Sequence, residues 1–367
     1  MSRVGFEPTT HGLKGRCSAT ELPAHPLGAV IIRNVRWERI WYPRDPLGKA
    51  LSLALTPLSW IYAAGWQVYL QAYRSGLKRQ FVPPLPTVCV GNLEVGGSGK
   101  TPIAIALVRM LKEIGYSPAL SLSGYGSAAS QGVTPLAPEQ PVEALIHGDE
   151  SALARAKLPD VPLLIGRRRT EAAKLAPTLG ADVLVLDDGF QHLPLARTLD
   201  LIVWQPERTN RRCLPAGPLR EPEANVRRAA ALLLPSGATP PPYGLPAFFY
   251  ERRFGPLRCI QTNATVSVQD APKRVVAVSA IARPERFRAS LESLGFEVEE
   301  ELVFPDHSSL SHARFDDRKT YVCTEKDAVK LKDREDLAQV FALESDVEFV
   351  DSDALVAFLR PKLEEAK

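Results

Sequence analysis

Gly91-Asn92-Leu93-Glu94-Val95-Gly96-Gly97-Ser98-Gly99-Lys100-Thr101 decides the fold of this 367-residue chain. The apolar run 87–90 before it predicts a buried strand, and residues 102–108 after it predict a helix with proline in its first turn. A glycine-rich loop between a strand and a helix forms a cradle for phosphate, because backbone N–H groups and the helix N-terminus attract anions. The stretch therefore predicts that the protein uses a nucleoside triphosphate.

Each residue type in this loop has a role in phosphate binding. Lys100 can reach the β- and γ-phosphates, and the Thr101 hydroxyl can ligate Mg²⁺. The general pattern has glycine where this chain has Glu94, so a glycine-rich turn with an incidental lysine is the alternative. The agreement of strand, loop and helix favours the phosphate site. The amides that would face the phosphates belong to Gly96, Gly97, Ser98 and Gly99.

The composition is that of an ordinary globular protein, with 45% hydrophobic and 24% charged residues. A net charge of +3 is too small to indicate a nucleic-acid partner, and we expect none. The five cysteines are widely spaced without a Cys-x-x-Cys pair, which indicates reduced thiols. The length suggests two domains or one large one, and the proline-rich stretch 235–246 indicates a linker or domain edge.

The N-terminal part of the chain divides into two segments. Residues 1–36 have no hydrophobic period, and we expect either a misassigned start or a disordered tail. Residues 37–80 contain the uncharged run 50–73, which is long enough to span a bilayer but is diluted by polar side chains and has basic flanks on both sides. We predict a membrane-associating helix that lies in the interface; a buried helix of the soluble part is the alternative.

Strands and helices alternate through residues 81–245, which predicts an α/β domain with a parallel sheet and helices on both faces. Residues 246–367 resume the alternation and predict a smaller α/β domain. In the first domain the predicted strands are 87–90, 162–165, 183–186 and 201–204, and the predicted helices are 102–114, 150–157, 168–178 and 223–231. In the second, the predicted strands are 275–278, 303–304, 321–323 and 349–350, and the predicted helix is 284–294.

Two acidic motifs indicate chemistry at the phosphate loop. Asp187 and Asp188 end the predicted strand 183–186, where a carboxylate can hold Mg²⁺ beside the loop; a simple turn is the alternative. Asp149 and Glu150 lie in the first turn of a predicted helix. There they either complement the helix dipole or serve a kinase reaction near the acceptor hydroxyl.

Further motifs follow one another along the chain in a recognisable order. They are Gly91 to Pro102, Gly148-Asp149-Glu150, Asp187-Asp188-Gly189-Phe190-Gln191-His192, Leu214-Pro215-Ala216-Gly217-Pro218-Leu219-Arg220-Glu221-Pro222, Ile281-Ala282-Arg283-Pro284-Glu285-Arg286-Phe287, Asp306-His307 and Thr324-Glu325-Lys326-Asp327. This set resembles the tetraacyldisaccharide 4'-kinase family, the lipid A 4'-kinases, over residues 45–335.

The resemblance implies transfer of the ATP γ-phosphate to the 4'-hydroxyl of a tetraacylated glucosamine disaccharide 1-phosphate, which gives lipid IVA in lipid A biosynthesis. It also implies a P-loop kinase domain, a smaller C-terminal domain and a crevice between them. ATP and Mg²⁺ are the implied cofactors. The implied partners are the acylated disaccharide 1-phosphate and the inner-membrane surface, and we expect a monomer at the cytoplasmic face of the bacterial inner membrane.

The resemblance further implies roles for individual residues. Asp149 would accept the proton of the sugar hydroxyl, paired with His307 of the second domain, while Lys100 would serve the phosphates. The metal and phosphate side would comprise Thr101, Glu150, Asp187, Asp188 and Glu221. Residues that orient phosphates or close the site would be Arg169, Gln191, His192 and Arg220.

The chain departs from the family at Leu122-Ser123, where Ser-Arg is usual, and at Ser151, where proline is frequent; neither change touches this chemistry.

Two alternatives belong to other function classes. A membrane-associated P-loop ATPase would carry lysine where this chain has Val95, which counts against that class. A nucleotide-binding scaffold without lipid kinase activity would have no use for a histidine aimed at the crevice. The distance between Asp149 and His307 therefore discriminates between a kinase and a scaffold.

Overall fold

The computed structural model describes residues 37–97, 99–206, 208–308, 310–332, 334–337 and 339–366. The expectation for residues 1–36 lies outside these ranges. Helices come first in the described chain: α1 (Trp37–Trp41), α2 (Pro46–Ala54) and α3 (Thr56–Arg74). The predicted interfacial helix 50–73 is thus two helices that meet at Leu55, because Pro57 starts a new helix more readily than it continues one.

An alternating α/β half follows these helices. Its elements are β1 (Thr87–Gly91), α4 (Lys100–Glu113), β2 (Pro118–Leu122), β3 (Thr134–Leu136), α5 (Ala144–His147), α6 (Asp149–Lys157), β4 (Leu163–Ile165), α7 (Arg169–Leu175), β5 (Val183–Asp187), β6 (Leu199–Val203) and β7 (Ala231–Pro235). Short 3₁₀ helices lie at Ala128–Gln131, Ala176–Leu179 and Glu223–Arg228.

The C-terminal half is smaller. Its elements are β8 (Ala247–Cys259), β9 (Thr265–Val266), β10 (Arg274–Ser279), α8 (Pro284–Ser293), β11 (Glu297–Val303), β12 (Tyr321–Thr324), α9 (Glu325–Leu331), β13 (Val340–Phe349) and α10 (Ser352–Glu364).

The strands form one sheet in the order β11-β10-β12-β13-β8-β7-β6-β1-β5-β2-β4-β3, with β9 beside β8. Neighbouring strands are parallel except where β3 meets β4 and where β8 meets β13 and β9. The long strand β8 pairs with β7 on one side and with β13 on the other, so the sheet continues from one half into the next. A division into two domains at residue 245 remains a proposal.

Both faces of the sheet are buried. Along β1, Val88 and Val90 belong to one hydrophobic cluster, with helix α4, while Cys89 belongs to another, with helix α7. Leu355, Leu359 and Leu363 of α10 pack into the cluster around α4, so the C-terminal helix completes the core of the first half. Such two-sided cover is what a parallel sheet requires.

The predicted α/β fold is confirmed, and each predicted strand of the first half is present. The predicted helix 223–231 was too long: a 3₁₀ helix ends at Arg228, and the apolar residues from Ala231 onward form the buried strand β7. Strands β2, β3, β7, β8 and β9 were not predicted. No helix within the described ranges is long and apolar enough to cross a membrane.

Candidate active site

The phosphate loop lies between strand β1 and helix α4, at the carboxyl edge of the sheet. Strand β1 is central, with β5 and β6 as its parallel neighbours. Gly99 adopts a left-handed backbone, with φ of 75°, and serves as the N-cap of α4, which leaves Lys100 and Thr101 in the first turn. Gly91 also needs to be glycine, because a Cβ there would lie 2.6 Å from the Cβ of Phe190. These positions orient the loop as the sequence predicted.

Glu94 replaces the expected glycine without entering the phosphate cradle. Its carboxylate is only 2% exposed and forms ion pairs with Arg208 at 2.6 Å and Arg283 at 3.1 Å, and the Tyr42 hydroxyl donates to it. Since Tyr42 lies just after α1 and Arg283 lies just before α8, Glu94 connects the loop to the N-terminal helices and to the C-terminal half. The departure from the general pattern is thus a buried structural contact.

The metal side of the site is formed by oxygen atoms next to the loop. The Thr101 hydroxyl donates to Asp187 Oδ2 at 2.6 Å. Asp187 Oδ1 is buried and accepts no hydrogen bond from the described residues. Burial, together with the nearby charge of Glu150, raises the pKa of Asp187 to about 7. A buried carboxylate oxygen without a partner therefore lies beside a hydroxyl and a second carboxylate. Oxygen ligands of this kind suit a hard cation.

Asp188 is held by cations instead. Arg220 contacts both of its oxygens, at 2.8 and 2.9 Å, and Lys100 Nζ lies 3.6 Å from Oδ2. Burial alone would raise the pKa of Asp188, but Lys100 and Arg220 outweigh it and hold the pKa well below its usual range. Asp188 also adopts a left-handed backbone, with φ of 58°, which is strained for a residue other than glycine.

Two of the predicted phosphate contacts, Arg169 and Gln191, are engaged with protein groups, whereas the buried Nε2 of His192 has no hydrogen-bond partner among the described residues. Arg169, 3% exposed, donates to Ser121 Oγ and to the Asp187 carbonyl, so it supports the end of strand β5. Gln191 donates to the Asn92 carbonyl at 2.9 Å. Burial lowers the pKa of His192 to about 4, with Arg169 adding to the effect, so its ring is neutral. These side chains border the loop and shape its surroundings.

Glu221 lies apart from the metal side. It is fully buried and accepts hydrogen bonds from Arg228 at 2.7 and 2.8 Å, Asn225 at 3.0 Å and Gln191 at 2.9 Å. Those partners use both carboxylate oxygens. Among the described contacts of Glu221, none is to Thr101, Asp187 or Asp188, so the geometry favours a structural role over metal ligation.

Asp149 and His307 meet although they are far apart in the chain. Asp149 begins helix α6 after Gly148, whose φ of 91° and ψ of 151° are accessible essentially to glycine alone. His307 Nδ1 lies 3.2 Å from Asp149 Oδ2, and His307 has a left-handed φ of 63°. Burial would raise the pKa of Asp149, but the hydrogen bond from His307 and the charge of Lys330 outweigh it and lower the pKa. The carboxylate is therefore ionised at neutral pH.

The other ring nitrogen of His307 faces a lysine. Lys326 Nζ lies 3.4 Å from His307 Nε2 and 3.3 Å from Asp306 Oδ1. An ammonium can only donate, so this contact assigns the acceptor nitrogen to Nε2 and the proton to Nδ1, which then donates to Asp149. The ring of Tyr125 lies over His307 with a centroid distance of 5.1 Å.

Comparison with known proteins identifies the family. The family model described as LpxK: Tetraacyldisaccharide-1-P 4'-kinase matches residues 51–364. The chain belongs to this family. Curated relatives named tetraacyldisaccharide 4'-kinase include those of Acidovorax sp. (strain JS42), 40% identical over 77% of this chain and 83% of the relative, and of Halorhodospira halophila, 37% identical over 76% and 84%.

A solved structure supports the same assignment. The "apo" form of LpxK from Aquifex aeolicus, in complex with ATP, is 30% identical with a TM-score of 0.74, covering 85% of this chain and 99% of its own. The predicted P-loop fold and the predicted function are therefore confirmed: the chain is a kinase for ATP-dependent 4'-phosphorylation of a tetraacyldisaccharide 1-phosphate in lipid A biosynthesis.

Two further residues of this kinase contact the site and were not predicted. Arg252 of strand β8 places Nη2 3.3 Å from where a Cβ of Gly99 would lie, and no described residue forms a hydrogen bond or ion pair with it. Lys330 of helix α9 lies 3.0 Å from Asp149 Oδ2. Neither had a sequence signal: Arg252 is one of two adjacent arginines between aromatic residues, and Lys330 is one of several helical lysines.

Proposed function

We propose that this kinase transfers the γ-phosphate in a crevice where the phosphate loop faces the Asp149–His307 pair. The observation that carries the proposal is this pair, formed across the two halves of the sheet beside the loop. Glu150, the neighbour of Asp149, lies close enough to Asp187 to raise the pKa of Asp187. The base and the phosphate side are therefore adjacent, as an in-line transfer requires.

On the donor side, the loop amides, Lys100 and Arg252 would bind the phosphates of ATP. Mg²⁺ would be held by Thr101 and Asp187, with Glu150 and Asp188 close by. A magnesium site needs only one or two carboxylates when phosphates and water complete it. No cluster of three or more His, Cys, Asp or Glu side chains suited to a metal occurs in the described part of the chain. Bound Mg²⁺ would neutralise phosphate charge during transfer.

On the acceptor side, Asp149 would take the proton of the 4'-hydroxyl. Its Oδ2 is held by His307 and Lys330, which leaves Oδ1 for the substrate. As the sugar oxygen bonds to the γ-phosphorus and the bond to the β-phosphate oxygen breaks, the hydroxyl proton passes to Asp149. A weak base suffices because positioning and charge neutralisation dominate phosphoryl transfer.

Helices α2 and α3 provide a surface for the membrane. Their inner side is anchored by buried serines: Ser52 donates to the Ala216 carbonyl and Ser59 to the Cys213 carbonyl. Their outer side carries exposed apolar side chains, which are Leu47, Leu51, Leu53, Leu58, Trp60, Ile61 and Val68. We propose that this face binds the cytoplasmic surface of the inner membrane and that the kinase acts there as a monomer.

The central test is an assay with ATP, Mg²⁺ and the acylated disaccharide 1-phosphate, in which mass spectrometry detects the lipid. We expect the mass of one added phosphate, loss of that product with EDTA, and recovery with excess Mg²⁺. ATP hydrolysis without lipid product would favour the ATPase alternative, and nucleotide binding without turnover would favour the scaffold.

The membrane proposal has a separate test. Replacing Trp60 and Ile61 by serine removes two exposed apolar side chains, and we expect sedimentation with anionic phospholipid vesicles to weaken about tenfold. The matched control is Leu145→Ser, an exposed leucine outside these helices. Equal vesicle binding by both variants would reject the proposed face.

A further inference from the structure

The segment Thr324-Glu325-Lys326-Asp327 opens helix α9 and immobilises a carboxylate. Thr324 is the N-cap: its hydroxyl accepts the Asp327 amide at 3.2 Å and donates to Asp327 Oδ2 at 2.7 Å. The Ala280 amide donates to the same oxygen at 3.1 Å. Asp327 is fully buried, so its position is set by the end of strand β10 and by its own helix cap.

Asp327 in turn holds Lys330, one helical turn further along. Lys330 Nζ lies 3.1 Å from Asp327 Oδ1 and 3.0 Å from Asp149 Oδ2, and the lysine side chain is only 4% exposed. A buried ammonium between two carboxylates has little freedom to move, because leaving either partner would uncover an unpaired buried charge. The charge of Lys330 is therefore directed at Asp149 and Asp327.

A second ion pair joins the same two helices at the opposite end of α6. Glu325 lies 2.7 Å from Lys157, the last residue of α6, while its other oxygen accepts the Ser345 amide at 2.9 Å. Helix α6 begins with Asp149. Helix α9 therefore contacts α6 at both ends, and the C-terminal half determines where the first residue of α6 lies.

We infer that Lys330 is a positioning residue for Asp149. It contacts the same Oδ2 atom as the His307 imidazole and so helps to fix the carboxylate, which lets Oδ1 meet the 4'-hydroxyl at one distance and angle. This inference rests on the proposed role of Asp149 as the base. Because a misplacement of the order of 1 Å can reduce a rate about 100-fold, a contact of this kind acts on the transfer step rather than on ATP binding.

The test compares Lys330→Met with Lys330→Arg. We expect Lys330→Met to lower kcat about 10- to 100-fold with the KM for ATP nearly unchanged, and Lys330→Arg to recover most of kcat because it restores the charge and the donors. Lys332→Met, which replaces an exposed lysine at the end of the same helix, is the control.

An unchanged kcat in Lys330→Met, or a loss confined to the KM for ATP, would overturn the inference. If Lys330→Met does not fold, Lys330→Gln keeps a donor without the charge and is judged by the same criteria.

A double-mutant cycle separates this inference from the proposed function. In an Asp149→Asn background, we expect Lys330→Met to reduce kcat no further, because the group that it positions has already lost its role. Independent, multiplicative losses would contradict positioning through Asp149. Full activity of Asp149→Asn alone would contradict the proposed base, whereas an inactive Asp149→Asn with a fully active Lys330→Met would reject the inference only.

Discussion

The donor side and the acceptor side of this active site are built in different ways. The donor side comes from the carboxyl ends of two adjacent parallel strands, β1 and β5, and its loop is shaped by backbone conformation. The acceptor side unites Asp149 with His307, 158 positions later, through a side-chain contact between the two halves of the sheet. Backbone hydrogen bonds fix the first arrangement, whereas ion pairs between the two halves of the sheet fix the second. We therefore expect donor-side changes to affect the binding and charge neutralisation of the ATP phosphates, and acceptor-side changes to affect transfer while ATP binding stays intact.

The largest effect should follow the loss of the loop lysine. In Lys100→Ala we expect lipid phosphorylation to fall about 1000-fold or more, because a cation that neutralises transferring phosphate is removed from a preorganised site. Product formation is measured by mass spectrometry of the lipid. Lys112→Ala, in the last turn of the same helix and partly exposed, should retain activity. Comparable losses in both variants would show that the helix, not the loop, had been damaged.

Asp149→Asn should give the next largest loss and should separate the two sides. We expect kcat to fall about 100- to 1000-fold, as for removal of a general base, while ATP binding by calorimetry stays close to that of the parent. Glu143→Gln, an exposed carboxylate shortly before the same helix, is the control. If ATP binding fell in parallel with kcat, Asp149 would belong to the metal and phosphate side, and the comparison would fail.

The same contrast explains what the sequence could and could not predict. The donor side consists of two motifs that are each local in the chain, so the loop and Asp187 could be predicted from local pattern, although they lie 86 positions apart. The Asp149–His307 pair came from family resemblance, because contact between them depends on strand order and on β8 joining the halves. Lys330 carries no local signal for the same reason.

Glu94 shows the limit of pattern matching within the donor side itself. A missing glycine looks like a defect in the phosphate loop when only the loop is considered. The structure shows a buried carboxylate paired with Arg208 and Arg283, which lie 114 and 189 positions away. Such partners cannot be found from spacing, since their proximity is a property of the folded sheet.

Arg252 gives a smaller, donor-side effect. The Arg252 side chain is exposed next to Gly99 and has no hydrogen-bond or ion-pair partner among the described side chains, so a phosphate is the anion that would pair with it. We expect Arg252→Met to raise the KM for ATP about tenfold, the effect of losing one charged hydrogen bond. Arg253→Met is a matched control, because Arg253 is paired with Glu251 and Glu348. A fall in kcat at unchanged KM would instead move Arg252 to the acceptor side.

Glu221 should have the smallest effect on activity, although sequence resemblance placed it with the metal ligands. Its ion pair with Arg228 is buried, so Glu221→Gln should lower the free energy of unfolding by about 3 kcal/mol, measured by urea denaturation. Glu285→Gln breaks the exposed pair with Arg44 and should cost less than about 1 kcal/mol. When activity is normalised to the amount of folded protein, Glu221→Gln should depend on Mg²⁺ concentration as the parent does. The reason is that none of the described contacts of Glu221 reaches Thr101 or Asp187. A markedly higher Mg²⁺ requirement at parent stability would return Glu221 to the metal side, and the donor side would then extend beyond the ends of β1 and β5.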